Sequence, residues 1–213
     1  ARGELLGPLH GVPFTVKEFF NVTGTPTTGG IKSLVRREVA EDAELVQRLR
    51  KAGAVLLGKT NVGQLGIMYE TDNPVYGRSN NPWSPLHSPG GSSGGEAALI
   101  AVGGTRFGLG SDRGGSIRQP AQSCGIHSLK PTSGRLSVRG HFHQTTLTAD
   151  HLQAGPMACQ VDDLEIVLRT LVESKSAVDR NPSSFIPFRD PSQVDVRSLR
   201  IGVCTDDGIF RPS

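Results

Sequence analysis

Two stretches of the chain repeat apolar residues at the three- and four-residue spacing of an amphipathic helix. The first, residues 41–53, has Asp42 as its expected N-cap and Gly53 as the residue that ends it. The second, residues 161–174, carries acids in its first turn, where the helix dipole favours them. Each helix is predicted to bury one face. The apolar stripes are Ala43, Leu45, Val46 and Leu49 in the first helix, and Leu164, Val167, Leu168, Leu171 and Val172 in the second.

Other stretches have the pattern of β-strands. In residues 11–16 apolar and polar residues alternate, which is typical of a strand with one buried face, and Lys17 is expected on its opposite face or at its mouth. Residues 54–58 are an apolar run that directly follows the first helix, which predicts a sheet covered by helices on both faces. Further predicted elements are buried strands at 105–110 and 199–204, a short apolar helix at 96–104, and a strand with a turn within 124–137.

A long irregular segment, residues 59–87, lies between these elements. Its Asn-Pro pairs mark turns, and Trp83 is expected to pack beneath the loop. Long loops in compact domains are often functional, which makes Lys59 and Asn61 secondary candidates for lining a site.

Composition and charge are those of an ordinary globular protein. The 213 residues are 36% apolar and 20% charged, and the net charge of +3 is too small and scattered for a nucleic-acid surface. The three cysteines are an odd number without a CxxC spacing, which favours a reducing compartment. Because no run of about 18 apolar residues and no signal-peptide pattern occurs, we expect no transmembrane segment and a cytoplasmic location.

Three histidines, His141, His143 and His151, lie close together in the sequence. An HxH pair can bind a metal ion, but no third ligand follows at a recognisable spacing. We therefore interpret them as polar loop residues and predict neither a metal site nor a cofactor.

The candidate chemistry lies between residues 88 and 120. Two serines stand there in glycine-lined turns, Ser92 in GGSSGG and Ser116 in SDRGGSIR, 24 residues apart. Glycine allows positive φ and the close approach of another group. Each turn therefore presents a hydroxyl beside open backbone N–H groups, which predicts a site for an anion or an oxyanion.

Two explanations of these turns fit poorly. A phosphate-binding loop would need GxxxxGK[ST] or a GxGxxG between a strand and a helix, and neither is present. The second explanation is a nucleophile elbow, because residues 91–95 match the pattern GxSxG with Ser93 as the nucleophile. An elbow follows directly on a strand, however, and the preceding NNPWSPLHSPGG does not have the pattern of one.

A third explanation adds a lysine. The motifs GVPFTVKE, GGSSGGE and GSDRGGSIRQP, with 75 residues from Lys17 to Ser92 and 24 on to Ser116, together resemble the amidase signature family. Shorter segments around these motifs also resemble that family: GKTN, NNPW, CGIHSLKPTSGR, and GPMA followed by a VxDL helix. The resemblance covers nearly the whole chain. It implies a single domain over residues 1–213 and an α/β fold, an α/β/α sandwich around a mixed central β-sheet, incomplete at its C-terminal half.

The resemblance also assigns roles, in a triad of serine, cis-serine and lysine. Ser116 is implied as the nucleophile, Ser92 as the bridging serine and Lys17 as the terminal base. Asp112 and Arg118 are implied to hold the nucleophile's turn, and Ser93 to support the orientation of Ser92. The implied oxyanion hole is formed by the backbone N–H groups of Arg113, Gly114, Gly115 and Ser116.

The chemistry of this triad sets a requirement. A serine hydroxyl is a weak nucleophile unless a base takes its proton. Lysine is a base only when neutral, so its ordinary pKa of about 10.4 must fall by roughly three pH units. Burial beside the apolar strand at 11–16 is expected to provide that shift.

The implied function is hydrolysis of the C–N bond of a non-peptide carboxylic amide, with release of ammonia or an amine. The expected partner is a small-molecule amide, with no nucleic acid and with a homodimer as a further expectation. Two alternatives stay open: the glutamine-hydrolysing subunit of a tRNA-dependent amidotransferase, which needs partner chains, and a non-catalytic remnant.

Two residues depart from the family's usual pattern: Arg113 stands where an apolar residue or threonine is usual, and His127 where small or apolar residues are common. Family members are also longer, and the part after the LRIGV strand completes their sheet and pocket. We therefore expect this chain alone to expose apolar surface and to be weakly active or inactive.

Overall fold

The structure is a computed structural model, which describes residues 3–143, 151–173, 188 and 190–203. Its helices are α1 (Glu44–Lys51), α2 (Gly94–Ala101), α3 (Arg118–Cys124) and α4 (Val161–Glu173). Its strands are β1 (Pro13–Lys17), β2 (Val55–Thr60), β3 (Asp72–Asn73), β4 (Gly77–Arg78), β5 (Phe107–Asp112), β6 (His127–Ser128) and β7 (Gln153–Ala158). Short 3₁₀ helices occupy Lys32–Leu34, Gln64–Gly66, Pro191–Gln193 and Val196–Ser198.

Five strands form a mixed sheet in the order β2-β1-β5-β7-β6. Strand β1 is parallel to β2 and β5, whereas β7 is antiparallel to β5 and β6. Strands β3 and β4 form a separate small hairpin. The sequence-based prediction of a mixed central sheet is confirmed.

Helices cover both faces of the sheet. On one face Phe14 and Leu109 join the apolar stripes of α1 and α4 in one core cluster. On the other face α2 and α3 form a second cluster, which includes Ile100, Ile117 and Met157. The predicted α/β/α sandwich is therefore confirmed. Because β1 is buried on both sides from Phe14 to Lys17, the prediction of only one buried face for this strand is wrong.

The two predicted amphipathic helices are present, with one changed cap. Gly53, at φ +91°, follows α1 as predicted. The N-cap is Ala43 and not Asp42. The Asp42 carboxylate instead accepts a hydrogen bond from the Thr23 N–H (2.7 Å) and pairs with Arg50 (3.0 Å).

The apolar run 54–58 lies mostly in a strand, as predicted; this strand, β2, is at the edge of the sheet, where Val55 and Leu57 are about half exposed. Two further predictions are corrected. Trp83 is 66% exposed and does not lie beneath its loop; its indole N–H donates to the Cys124 carbonyl (2.7 Å). Residues 199–203 form no strand and are exposed, because none of the described strands lies beside them to share hydrogen bonds; Cys204 is outside the described residues.

Helix α3 and strand β7 were not predicted, and each contains a proline. Pro120 lies in the first turn of α3. Backbone N–H groups in the first turn have no carbonyl acceptor within the helix, so a proline, which lacks an N–H, costs no hydrogen bond there. Pro156 lies inside β7, opposite Leu109 of β5, and its carbonyl accepts from the Leu129 N–H (3.1 Å). Both elements lie beside the region in which the glycine-lined serines meet.

Candidate active site

Lys17 ends strand β1 beneath helix α2, and its side chain is only 1% exposed. Its Nζ donates to Ser92 Oγ at 2.8 Å and to the Ser111 carbonyl at 3.1 Å. Burial lowers the pKa of Lys17 to about 7, against the opposing charges of Asp112 and Glu96. The amine is thus close to half neutral at physiological pH while it contacts a serine hydroxyl.

The two serines of GGSSGG have different surroundings. Ser92 follows a cis peptide bond from Gly91 and lines a small cavity together with Lys17. Ser93 is fully buried; its Oγ donates to the Ser111 carbonyl (3.3 Å) and its N–H to the Ser116 carbonyl (3.1 Å). Ser93 therefore fastens the start of α2 to the second serine turn, and its hydroxyl is poorly placed for the elbow chemistry considered from the sequence.

Ser116 lines the same cavity as Lys17 and Ser92 and is 8% exposed. Among the described residues, the hydrogen bonds do not include one between the Ser92 and Ser116 hydroxyls. Such contacts are often long in unliganded sites and tighten when a substrate binds.

Asp112 organises the turn that carries Ser116. Its carboxylate accepts from the N–H groups of Gly115 (2.7 Å) and Ile117 (3.0 Å) and from two guanidinium nitrogens of Arg118 (3.0 and 3.1 Å). Burial acts to raise the pKa of Asp112, but these donors outweigh it, so the pKa lies below its ordinary value. Asp112 therefore stays ionised at neutral pH and holds the turn.

This arrangement corrects the expected oxyanion hole. The Gly115 N–H is already used by Asp112, so it cannot also face an oxyanion in this conformation. The remaining candidates are the N–H groups of Arg113, Gly114 and Ser116.

Tyr69 is a residue at this site that the sequence reasoning missed. Its hydroxyl donates to the Gly114 carbonyl at 2.6 Å, and a Cβ at Gly115 (φ +134°) would come within 3.3 Å of its ring. Since the peptide between the two glycines is held by Tyr69 at its carbonyl and by Asp112 at its N–H, its orientation is fixed from both sides. Only its position in the irregular segment 59–87 could have suggested a role.

Two of the histidines also lie at the site, so the interpretation as polar loop residues is wrong for them. His143 lines the cavity, and its Nε2 lies 3.0 Å from the Leu65 carbonyl. His141 is buried, edge-on to the rings of Phe19 and Phe20. Burial lowers the pKa of both, with help from the nearby cations, so both are neutral at pH 7. His151 is exposed.

Glu96, in the first turn of α2, is a second residue that the sequence reasoning did not place at the site. It is fully buried, and burial raises its pKa to about 7 although Thr15 and Thr60 donate hydrogen bonds to it. Within the described residues, no group of three or more His, Cys, Asp or Glu side chains is arranged to hold a metal ion.

Lys59 and Asn61 line a different cleft, of about 450 Å³, together with Glu18 and Tyr76. Lys59 Nζ donates to the Pro26 carbonyl (2.7 Å) and to Thr27 Oγ1 (2.9 Å). Burial lowers the pKa of Lys59 to about 8, against the charge of Glu18. Neither residue lines the cavity that holds Lys17 and the serines.

Comparisons with known proteins show which family the chain belongs to. The family model described as Amidase matches residues 1–213. Amidase 2 of Gibberella moniliformis is 44% identical over 192 residues, which cover 89% of this chain and 37% of that protein. A glutamyl-tRNA(Gln) amidotransferase subunit of Chloroflexus aurantiacus is 40% identical over 208 residues, 95% of this chain and 41% of that protein.

A solved structure of a fatty acid amide hydrolase superposes with a TM-score of 0.90 at 36% identity, over 99% of this chain and 37% of that one. The chain thus spans about two fifths of the length of these relatives. In the parts of the chain that the structure describes, no helix has the length and apolarity to cross a bilayer. From the family match over its whole length, this chain belongs to the amidase signature family.

Proposed function

We propose that this chain carries the catalytic residues of an amide hydrolase that cleaves the C–N bond of a linear, non-peptide carboxylic amide through an acyl-enzyme on Ser116. The observation that carries the proposal is the 2.8 Å contact between the buried Lys17 amine and the Ser92 hydroxyl. A lysine whose pKa is about 7 can accept a proton at physiological pH, which an exposed lysine cannot. The membership of the amidase signature family supports the same reaction class.

In the proposed cycle, neutral Lys17 takes the proton of Ser92 while Ser92 takes the proton of Ser116. The Ser116 oxygen attacks the amide carbonyl, and the C=O electron pair moves onto the carbonyl oxygen. Backbone N–H groups of Arg113, Gly114 and Ser116 are proposed to receive this oxyanion, where each well-placed donor contributes roughly 3 kcal/mol. Ser92 then returns a proton to the leaving nitrogen, and water cleaves the ester in a second round of the same relay.

A fluorophosphonate probe tests this proposal directly. The full-length protein should gain the mass of one phosphonyl group, and peptide mapping should place it on Ser116, because the relay activates that hydroxyl alone. Release of ammonia from a panel of small primary amides should run in parallel. A folded protein that is not labelled, or is labelled at another serine, would contradict the proposal and favour a non-catalytic remnant.

A second candidate is the glutamine-hydrolysing subunit of a tRNA-dependent amidotransferase, which passes ammonia to partner chains. It is favoured by the 40% identity to the glutamyl-tRNA(Gln) amidotransferase subunit of Chloroflexus aurantiacus. Under this alternative, glutamine should be the preferred amide, and its hydrolysis should depend on added partner chains. Free turnover of other small amides without any partner would exclude it.

Tyr69→Phe tests the proposed oxyanion hole. The substitution removes the hydroxyl that donates to the Gly114 carbonyl. The peptide between Gly114 and Gly115 is then held less firmly, and so are the N–H groups of Gly114 and Ser116 in the two adjoining peptides. We expect kcat to fall roughly 10-fold, less than the loss of a whole oxyanion donor, with KM little changed. Steady-state kinetics measures both, and Tyr76→Phe, in the Lys59 cleft, is the control. A rise in KM at unchanged kcat would instead place Tyr69 in substrate binding.

A further inference from the structure

Glu96 is a buried carboxylate without a cation in salt-bridge contact among the described residues. Its two oxygens accept hydrogen bonds from Thr15 Oγ1 (2.7 Å) and Thr60 Oγ1 (2.8 Å). Gly108 of β5 provides the space, because a Cβ there would come within 1.9 Å of Glu96 Oε2. The fold thus makes room for this carboxyl group under α2, where an apolar side chain would be the ordinary occupant.

The threonines that hold Glu96 are neighbours of Lys17. Thr15 is two residues before Lys17 on β1, so the two side chains leave the same face of the sheet. Thr60 is the register partner of Lys17 on β2. The carboxylate and the amine therefore lie over the same patch of the sheet, beneath the first turn of α2.

Of the two carboxylates whose charges act on Lys17, Asp112 and Glu96, Glu96 is the one without an ion pair among the described residues. Asp112 already faces the guanidinium of Arg118. Arg113 acts on Lys17 with the opposite sign, and His141 and His143 are held neutral by burial. Glu96, by contrast, accepts hydrogen bonds from two hydroxyls and lies in the field of Lys17.

We infer that Glu96 is a positioning residue for the base: the field of its buried carboxylate sets the proton affinity of Lys17 and so the pH range in which the relay works. The inference rests on the proposed function, in which Lys17 must be neutral to act. A negative charge nearby favours the protonated amine, so its removal releases the proton at lower pH. Burial lowers the proton affinity of the amine, and the charges of Asp112 and Glu96 both act against that effect.

Glu96→Gln is the test, with the pH profile of kcat/KM as the readout. The acid limb should move to lower pH by up to about half a pH unit, because Glu96, whose own pKa is about 7, is ionised only near the upper end of this limb and there favours the protonated amine. Thr15→Val, which removes one donor to the carboxylate, should move the limb in the same direction by less. Glu44→Gln is the matched control: Glu44 is also a buried glutamate, but it pairs with Arg48 on α1, and its loss should leave the limb in place.

A second readout does not need catalysis. The ¹³Cε resonance of Lys17, assigned by its loss in Lys17→Met, should titrate at lower pH in Glu96→Gln than in the wild type. An unchanged or upward-shifted titration in a folded Glu96→Gln protein would overturn the inference. If the resonance shifts as expected but the wild type neither hydrolyses amides nor reacts with fluorophosphonates, the proposed function fails and the coupling of Glu96 to Lys17 stands.

Discussion

Ser116→Ala should remove amide hydrolysis almost completely, with a fall in kcat/KM of roughly five orders of magnitude. In the proposed cycle, the substitution deletes the oxygen that forms the acyl-enzyme, so the remaining relay has no nucleophile to activate. Fluorophosphonate labelling should disappear in the same variant. Its fold should persist, because the Ser116 carbonyl, and not its hydroxyl, accepts the Ser93 N–H. Ammonia release and intact-protein mass after labelling measure the two effects.

Ser84→Ala is the matched control for this experiment. Ser84 Oγ lies 2.7 Å from His87 Nδ1, so it forms a serine–histidine pair that resembles part of a catalytic site. The pair is exposed and lies outside the cavity of Lys17. Loss of Ser84 should leave labelling and turnover within a factor of about two. Ser116→Ala protein that still accumulates a covalent acyl-enzyme would end the assignment of Ser116.

The fold was predictable from sequence wherever a local pattern dominated. The stripes of α1 and α4 follow from apolar periodicity, and the close of α1 from a glycine that needs positive φ. The predictions that were wrong or missing concern residues whose conformation depends on partners far away in the sequence. Asp42 finds a backbone N–H and an arginine elsewhere, and β7 tolerates Pro156 because its neighbours on both sides hold it in the sheet.

At the site, too, local sequence motifs were informative and long-range contacts were not predictable. The motifs and their order pointed to Lys17, Ser92 and Ser116, and the structure brings all three to one cavity. The bond from Tyr69 to Gly114 and the bond from Thr15 to Glu96 join residues that lie 45 and 81 positions apart. No periodicity or short motif encodes contacts of that range, since they depend on how the loop 59–87 and helix α2 pack on the sheet.

Lys17→Met should reduce kcat/KM by roughly three to four orders of magnitude, because it removes the proposed base and leaves the proposed nucleophile in place. In the wild type the rate should rise about tenfold per pH unit up to about pH 7 and then level off, since the neutral amine is the active form. The residual activity of the variant should lack this limb. Lys59→Met is the control: it removes a partly buried lysine, in the separate cleft, and should keep the acid limb. An unchanged acid limb in Lys17→Met would exclude Lys17 as the base.

Lys17→Met should have a larger free energy of unfolding than the wild type at pH 7. Since the folded protein holds the pKa of Lys17 at about 7, well below its unfolded value, the unfolded chain binds a proton between about pH 7 and 10.5 that the folded protein lacks. The free energy of unfolding of the wild type should therefore rise with pH across that window, by up to about 1.4 kcal/mol per pH unit from this group. Methionine has no such linkage, so denaturant unfolding should show Lys17→Met gaining on the order of 3 kcal/mol at pH 7 and this difference shrinking towards pH 10. A variant that loses both activity and stability at pH 7, with the pH dependence unchanged, would mean that Lys17 is charged in the folded protein and holds the fold together as a cation.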